Sequence, residues 1–171
     1  MPEAMPGHWL QAEYAARVSP EDRRALRAVY GRVPYVEGWA VYATEYLISD
    51  GYYKDDPGMQ LTWYKQLLRV ISNTILDIRL QTMNMTEAEA IDLMIRDTYQ
   101  EKEEAVAKYQ RAQLSSCQLP AYFIGWSDWR RLREDAQKAG GTGWNESRFH
   151  EAVLEPGAVG LDSLRALILK Q

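Results

Sequence analysis

The sequence predicts an all-α protein. Apolar residues recur at three- and four-residue spacing along most of the chain, which is the period of an amphipathic helix. Helix-start signals punctuate it at Ser19-Pro20-Glu21-Asp22, at Asp55-Asp56-Pro57 and at the capping box Thr86 to Glu89. No run rich in Val, Ile and Thr alternates with polar residues as a half-buried strand would.

The elements follow in order. A first helix spans about Gly7 to Arg17. Ser19 is placed as the cap of a second, with Pro20 at its first position and two acids in its first turn, ending near Gly31. Val33-Pro34-Tyr35 reads as a short extended link. The third helix, over 36–51, is apolar on two faces and is therefore expected to be buried: Val36, Trp39, Ala40, Ala43, Tyr46 and Leu47 form one face, Val41, Thr44 and Ile48 the other. A long helix over 57–80 carries Trp63, Leu67, Val70, Ile71, Thr74 and Ile78 at helical spacing. The capping box opens a helix to about Gln100, and a charged helical stretch continues from Glu101 to about Leu114. After a break over Ser115 to Pro120, helices are expected from Ala121 to Ala139, from the Asn145 cap to Leu154, and from Leu161 to Leu169. Gly140–Gly143 is the one plausible flexible joint. The reading is one helical domain or domain fragment over residues 1–171.

Composition narrows the functional classes. A formal charge of −4 with both signs interspersed offers no basic stripe for nucleic acid and no polybasic run for a membrane surface. No stretch approaches the roughly 18 apolar residues of a spanning helix. Met1 to Gly7 has neither the basic nor the apolar region of a signal peptide, so the cytoplasm is the default location. The single cysteine, Cys117, excludes an internal disulfide framework and reads as a small buried apolar residue. Six tryptophans and eleven tyrosines suit a core, a cleft or a partner surface.

Few residues have the chemistry of a site. Glu3 and His8 are the types needed for a general base and a metal ligand, but equally read as an N-terminal carboxylate and a surface imidazole. Glu37 shares a helix face with Val41 and Ile48. A carboxylate there needs a partner, which a metal, an arginine or a tyrosine would supply. Glu45, two turns on, either orients a ligand or is solvated.

Taken together, these pieces resemble a known pattern. Glu3-x-x-Pro6-Gly7-His8, followed by Glu37-Gly38-Trp39-Ala40, resembles the bacterial family of unknown function numbered 885, which itself looks like a branch of the gluzincin-type zinc peptidases. Further matches are Arg69 to Asp77 with Thr86 to Ala90, Tyr109 with Gln118 to Gly125, and Phe149 to Leu154, so that the resemblance covers essentially the whole chain. It implies the C-terminal part of a gluzincin-like fold acting on a peptide-like substrate, with zinc as the metal. Glu3 matches the general base, and His8 and Glu37 match metal ligands. Tyr122 matches a tyrosine that could donate to the oxyanion of a tetrahedral intermediate, or is a core aromatic. Asp77 is expected in a structural pairing with the neighbourhood of Arg79 rather than beside a ligand, and His150 as a structural hydrogen-bonding residue.

The departures from that pattern also matter. The family motif opens with His-Glu where this chain has Pro2, and a family His stands where this chain has Gln81. Family members are several times longer. The expectation is therefore a hydrolase fragment, inactive as written, with weak or absent zinc binding and a need for an N-terminal region. The alternative is a non-catalytic helical module that keeps the fold and binds a peptide or protein in the old cleft. Partnerless stripes at Trp126, Trp129 and Leu132 would favour the fragment.

Overall fold

The computed structural model describes residues 2–169, and among them it contains helices and no strand. The helices are α1 (His8–Ala16), α2 (Glu21–Tyr30), α3 (Val33–Ser49), α4 (Pro57–Thr82), α5 (Glu87–Asp92), α6 (Lys102–Gln113), α7 (Pro120–Gly140), α8 (Glu146–Leu154) and α9 (Leu161–Leu169). A π-helical turn, Leu93–Asp97, follows α5, and a 3₁₀ turn, Gly141–Gly143, follows α7. No described helix is long and apolar enough to cross a membrane. The chain divides into two compact units, Met1–Tyr46 with Ile124–Gln171, and Leu47–Phe123.

Most expected start signals operate. Asp56 accepts from the Met59 amide at 3.0 Å, Asn145 from the Arg148 amide at 2.9 Å, and the Thr86–Glu89 box closes in both directions. Four readings need correction. Pro20 itself is the cap of α2: its extended backbone lets its carbonyl accept the Arg24 amide at 3.1 Å, and Ser19 makes no cap bond. Residues 33–35 are helical rather than extended. Pro34 falls in the first turn, where its missing N–H is not needed, and the Arg32 carbonyl accepts from Tyr35 and Val36 at 3.0 and 3.3 Å. The helix opened by Thr86 stops well before Gln100: it widens into the π turn, and Tyr99 adopts a left-handed φ of 55°. Cys117 is exposed, with a φ of 65°, and it is its backbone amide that the fold uses.

In the first unit, α3 and α7 touch backbone to backbone. A Cβ added at Gly125 would lie 2.0 Å from the Pro34 carbonyl oxygen and 2.8 Å from the Gly38 Cα. Around this contact Tyr35, Trp39 and Trp129 are fully or almost fully buried. The Trp129 indole donates to the Tyr35 carbonyl at 3.1 Å, and the Tyr35 hydroxyl to the Val153 carbonyl at 3.1 Å, which ties α8 to the same core. Trp126 and Leu132 are buried as well, so the stripe on α7 is covered within the chain.

His150 completes this core. Burial holds the Tyr42 hydroxyl protonated, far above its usual range, and the hydroxyl shares a hydrogen bond with His150 Nε2 at 2.8 Å. Close by, Arg133 pairs with both carboxylate oxygens of Glu146, which also accepts from the Trp144 indole at 2.9 Å. Burial raises the Glu146 pKa, but the bonds from Arg133 and Trp144 outweigh it and the net shift is downward.

The second unit packs α4, α5, the π turn and α6 around Leu76, Met85, Ala90, Met94, Ala105, Ala112 and Leu119. Its buried polar groups knit loops to α4. The Gln100 amide donates to Ser72 Oγ and Thr98 Oγ1 at 3.0 and 2.9 Å, and Asp77, 3% exposed, accepts from the Cys117 amide at 3.1 Å. Asp77 thus has the structural pairing expected of it, with a backbone amide as partner. Away from this core, Leu61, Tyr64, Ile75 and Ile78 of α4 are exposed, and together with Leu68 and Ile71 they keep a strict three–four spacing.

Two outcomes follow. Gly125→Ala, forced against the backbone of α3, should cost about 3 kcal/mol in urea denaturation, whereas Gly140→Ala, whose Cβ would meet nothing closer than 3.5 Å, should be nearly neutral. Equal midpoints for the two variants would contradict the backbone contact. Desolvation lowers the pKa of His150 below its ordinary 6.5, with Glu146 opposing and Arg133 reinforcing the shift. The unfolded chain therefore takes the proton first, and this contribution is intact at neutral pH and lost as pH falls below 6.5. His150→Gln should flatten that part of the stability curve between neutral pH and about pH 5, and an unchanged slope would contradict the neutral, buried imidazole.

Candidate functional site

The site begins with the segment ahead of α1. The buried indole of Trp39 on α3 points its N–H at two backbone carbonyls, Pro6 at 2.9 Å and Gly7 at 3.2 Å. The segment also folds back on itself, with the His8 amide donating to the Pro2 carbonyl at 2.7 Å. Gly7 caps α1 and its carbonyl accepts the Gln11 amide at 3.2 Å. These bonds hold His8, the first residue of α1, against α3.

His8 and Glu37 are brought together as a result. His8 Nε2 lies 3.5 Å from Glu37 Oε2, and the two side chains are 25% and 21% exposed. Two ligands of a tetrahedral zinc, each about 2.0–2.1 Å from the metal, stand about 3.4 Å from one another. The observed separation therefore suits two corners of such a site. The set goes no further: among the described residues no three His, Cys, Asp or Glu side chains converge. Pro2, which stands where the motif has its first His, has no donor atom. The outer nitrogen of a ligating His usually donates to a carbonyl or carboxylate, yet His8 Nδ1 is buried with no partner. The residues fit a metal as two ligands and not as a complete set.

The remaining candidates are dispersed. Glu3 is exposed, next to the residue whose carbonyl holds His8. Tyr122 is half-buried on α7 within the second unit. Glu45 is neither a ligand-orienting group nor solvated: it accepts from the Trp126 indole at 2.7 Å and pairs with Arg130 at 3.6 Å, fastening α3 to α7.

One feature was not read from the sequence. A cleft of about 520 Å³ opens beside Glu37, lined from α1 by Gln11 and Ala15, from α2 by Arg24 and Arg27, by Arg32 just ahead of α3, and by Val36 on it. The i, i+3 spacing of Arg24 and Arg27 was the available signal, but an arginine pair on a short polar helix is ordinarily just a solvated face.

The family model described as "Bacterial protein of unknown function (DUF885)" matches residues 1–168. A Shewanella oneidensis protein described as a "putative lipoprotein of unknown function" superposes with a TM-score of 0.91 at 37% identity, over 97% of this chain and 30% of that one. A Colwellia psychrerythraea protein, called a "putative lipoprotein", superposes with a TM-score of 0.90 at 27% identity, over 96% of this chain and 28% of that one. The chain thus spans less than a third of the length of either relative. No curated protein matches it. Matched by the family model over nearly its whole length, the chain belongs to the DUF885 family of bacterial proteins of unknown function.

Proposed function

We propose that this chain carries part of the metal site of a zinc-dependent, peptidase-like hydrolase of the gluzincin type, and that as written it binds zinc weakly and does not hydrolyse. The observation that carries this reading is the 3.5 Å approach of His8 Nε2 to Glu37 Oε2. Zinc, when bound, would polarise the scissile carbonyl and acidify a water. Glu3 would take the proton of the attacking water on its carboxylate and return it to the leaving group. Tyr122 is proposed as an oxyanion donor on the family resemblance alone. The missing third ligand at Pro2 supports the inactive state. A need for an N-terminal region is proposed on the family resemblance alone. The relatives' description as lipoproteins supports a setting outside the cytoplasm, in place of the cytoplasmic default.

A second reading, a non-catalytic helical binding module, is favoured by two observations. Trp126, Trp129 and Leu132 are covered within the chain, at 8%, 0% and 2% exposure. The three–four seam on α4 is the pattern that a second amphipathic helix would cover.

Zinc titration by calorimetry separates the two readings. Pro2→His, placed in the segment that already folds back on His8, should tighten zinc binding more than roughly 100-fold, since even an outer-shell partner is worth 10–100-fold. Adding His8→Ala should abolish the gain. A Pro2→His chain no tighter than the parent, or one indifferent to His8→Ala, would sink the metal reading in favour of the binding module.

A further inference from the structure

We infer that the cleft beside Glu37 is a carboxylate-binding subsite that takes the C-terminal end of a peptide. It rests on the hydrolase reading only for its place next to the metal pair. The cleft itself stands on independent observations. Its volume of about 520 Å³ falls within the roughly 300–1,000 Å³ of small-ligand sites. Gln11, only 6% exposed, lines it, and Ala15, Ala28 and Gly31 leave room for a side chain.

Its charge favours an anion. Three arginines and one carboxylate line it. Arg27 spends its Nε on the Pro156 carbonyl at 3.2 Å, which leaves its two terminal nitrogens. Arg24 is held only loosely, by the Ala16 carbonyl and by the exposed Glu21, each at 3.4 Å. Arg32 is exposed and has no carboxylate partner among the described residues. A guanidinium fork matches a carboxylate in two parallel bonds. Glu37 in the same lining disfavours a dianion such as phosphate and suits a monoanion whose neighbouring N–H groups can donate to it.

Spacing assigns the register. Arg32 precedes Glu37 by five residues, about 7.5 Å of helix rise, roughly the reach of two extended residues. A carboxylate held on Arg32 therefore brings the peptide bond one or two residues from the C-terminus toward the His8–Glu37 pair. The ligand class is a peptide with a free C-terminus, which a complete metal site would cut near that end.

The test uses the whole chain in chelator-treated buffer, so that it is independent of zinc. The probes are N-acetyl-Ala-Ala as the free acid, the same peptide as its C-terminal amide, and inorganic phosphate, titrated by NMR. The acid should bind, with the amide and phosphate about tenfold weaker or worse, as expected for loss of a charge-assisted bidentate pair. Arg32→Gln should reduce the acid to the level of the amide while leaving the thermal melt unchanged. Acid and amide binding alike, phosphate binding as tightly as the acid, no binding of the acid, or an indifferent Arg32→Gln would each overturn the inference. Failure of the zinc titration would leave this result standing, and failure here would leave the metal pair standing.

Discussion

The candidate site depends on a single buried donor. An indole N–H taken out of water must find an acceptor or cost about 1–3 kcal/mol, and the N–H of Trp39 finds two, the carbonyls of Pro6 and Gly7. That requirement pins an otherwise exposed N-terminal segment onto α3. Once it is pinned, α1 begins at His8, and His8 meets Glu37 across the gap between the two helices. The aromatic core around Trp39 is therefore what positions the two converging donors of the candidate site. The glycine contact between α3 and α7 lets that core close, because any side chain at Gly125 would push α3 away from Trp129.

A two-donor arrangement has clear chemical consequences. Zinc held by two protein ligands gains less free energy than zinc held by three, and the buried, unpartnered Nδ1 of His8 gives the ring no second anchor to fix its tautomer. The imidazole and carboxylate face one another directly at 3.5 Å, partly exposed, which is a weak contact by any measure. The pair is thus a poor source of stability, and the surrounding indole and backbone bonds, not the pair itself, hold it in place.

Much of the fold was legible from local chemistry. The caps Asp56, Thr86 and Asn145 act as their side chains dictate, because an N-terminal turn with orphan amides leaves little choice of partner. The errors have physical causes. Pro34 marks an extended link as readily as a first helical turn, and only the acceptor at Arg32 decides between them. The π turn after Asp92 places Met94 in the core of its unit, and no signal in Leu93–Asp97 itself announces it. Within the site, the residue types of His8 and Glu37 were legible as motif members, but their approach depends on Trp39, whose indole reads in sequence as one more core aromatic. Glu45 lay on the expected face, yet tertiary packing gave it to Trp126 and Arg130. The arginine-lined cleft needed three elements to meet, and no local pattern announces that.

The most direct measurement is X-ray absorption at the zinc edge on the zinc-loaded chain, with Trp39→Phe and His8→Ala beside it. If the indole of Trp39 positions the donor pair, the parent shows a nitrogen and oxygen shell near about 2.0–2.1 Å with the outer scattering of one imidazole, and both substitutions remove the imidazole signal. An imidazole signal that survives His8→Ala, or that is untouched by Trp39→Phe, would contradict it.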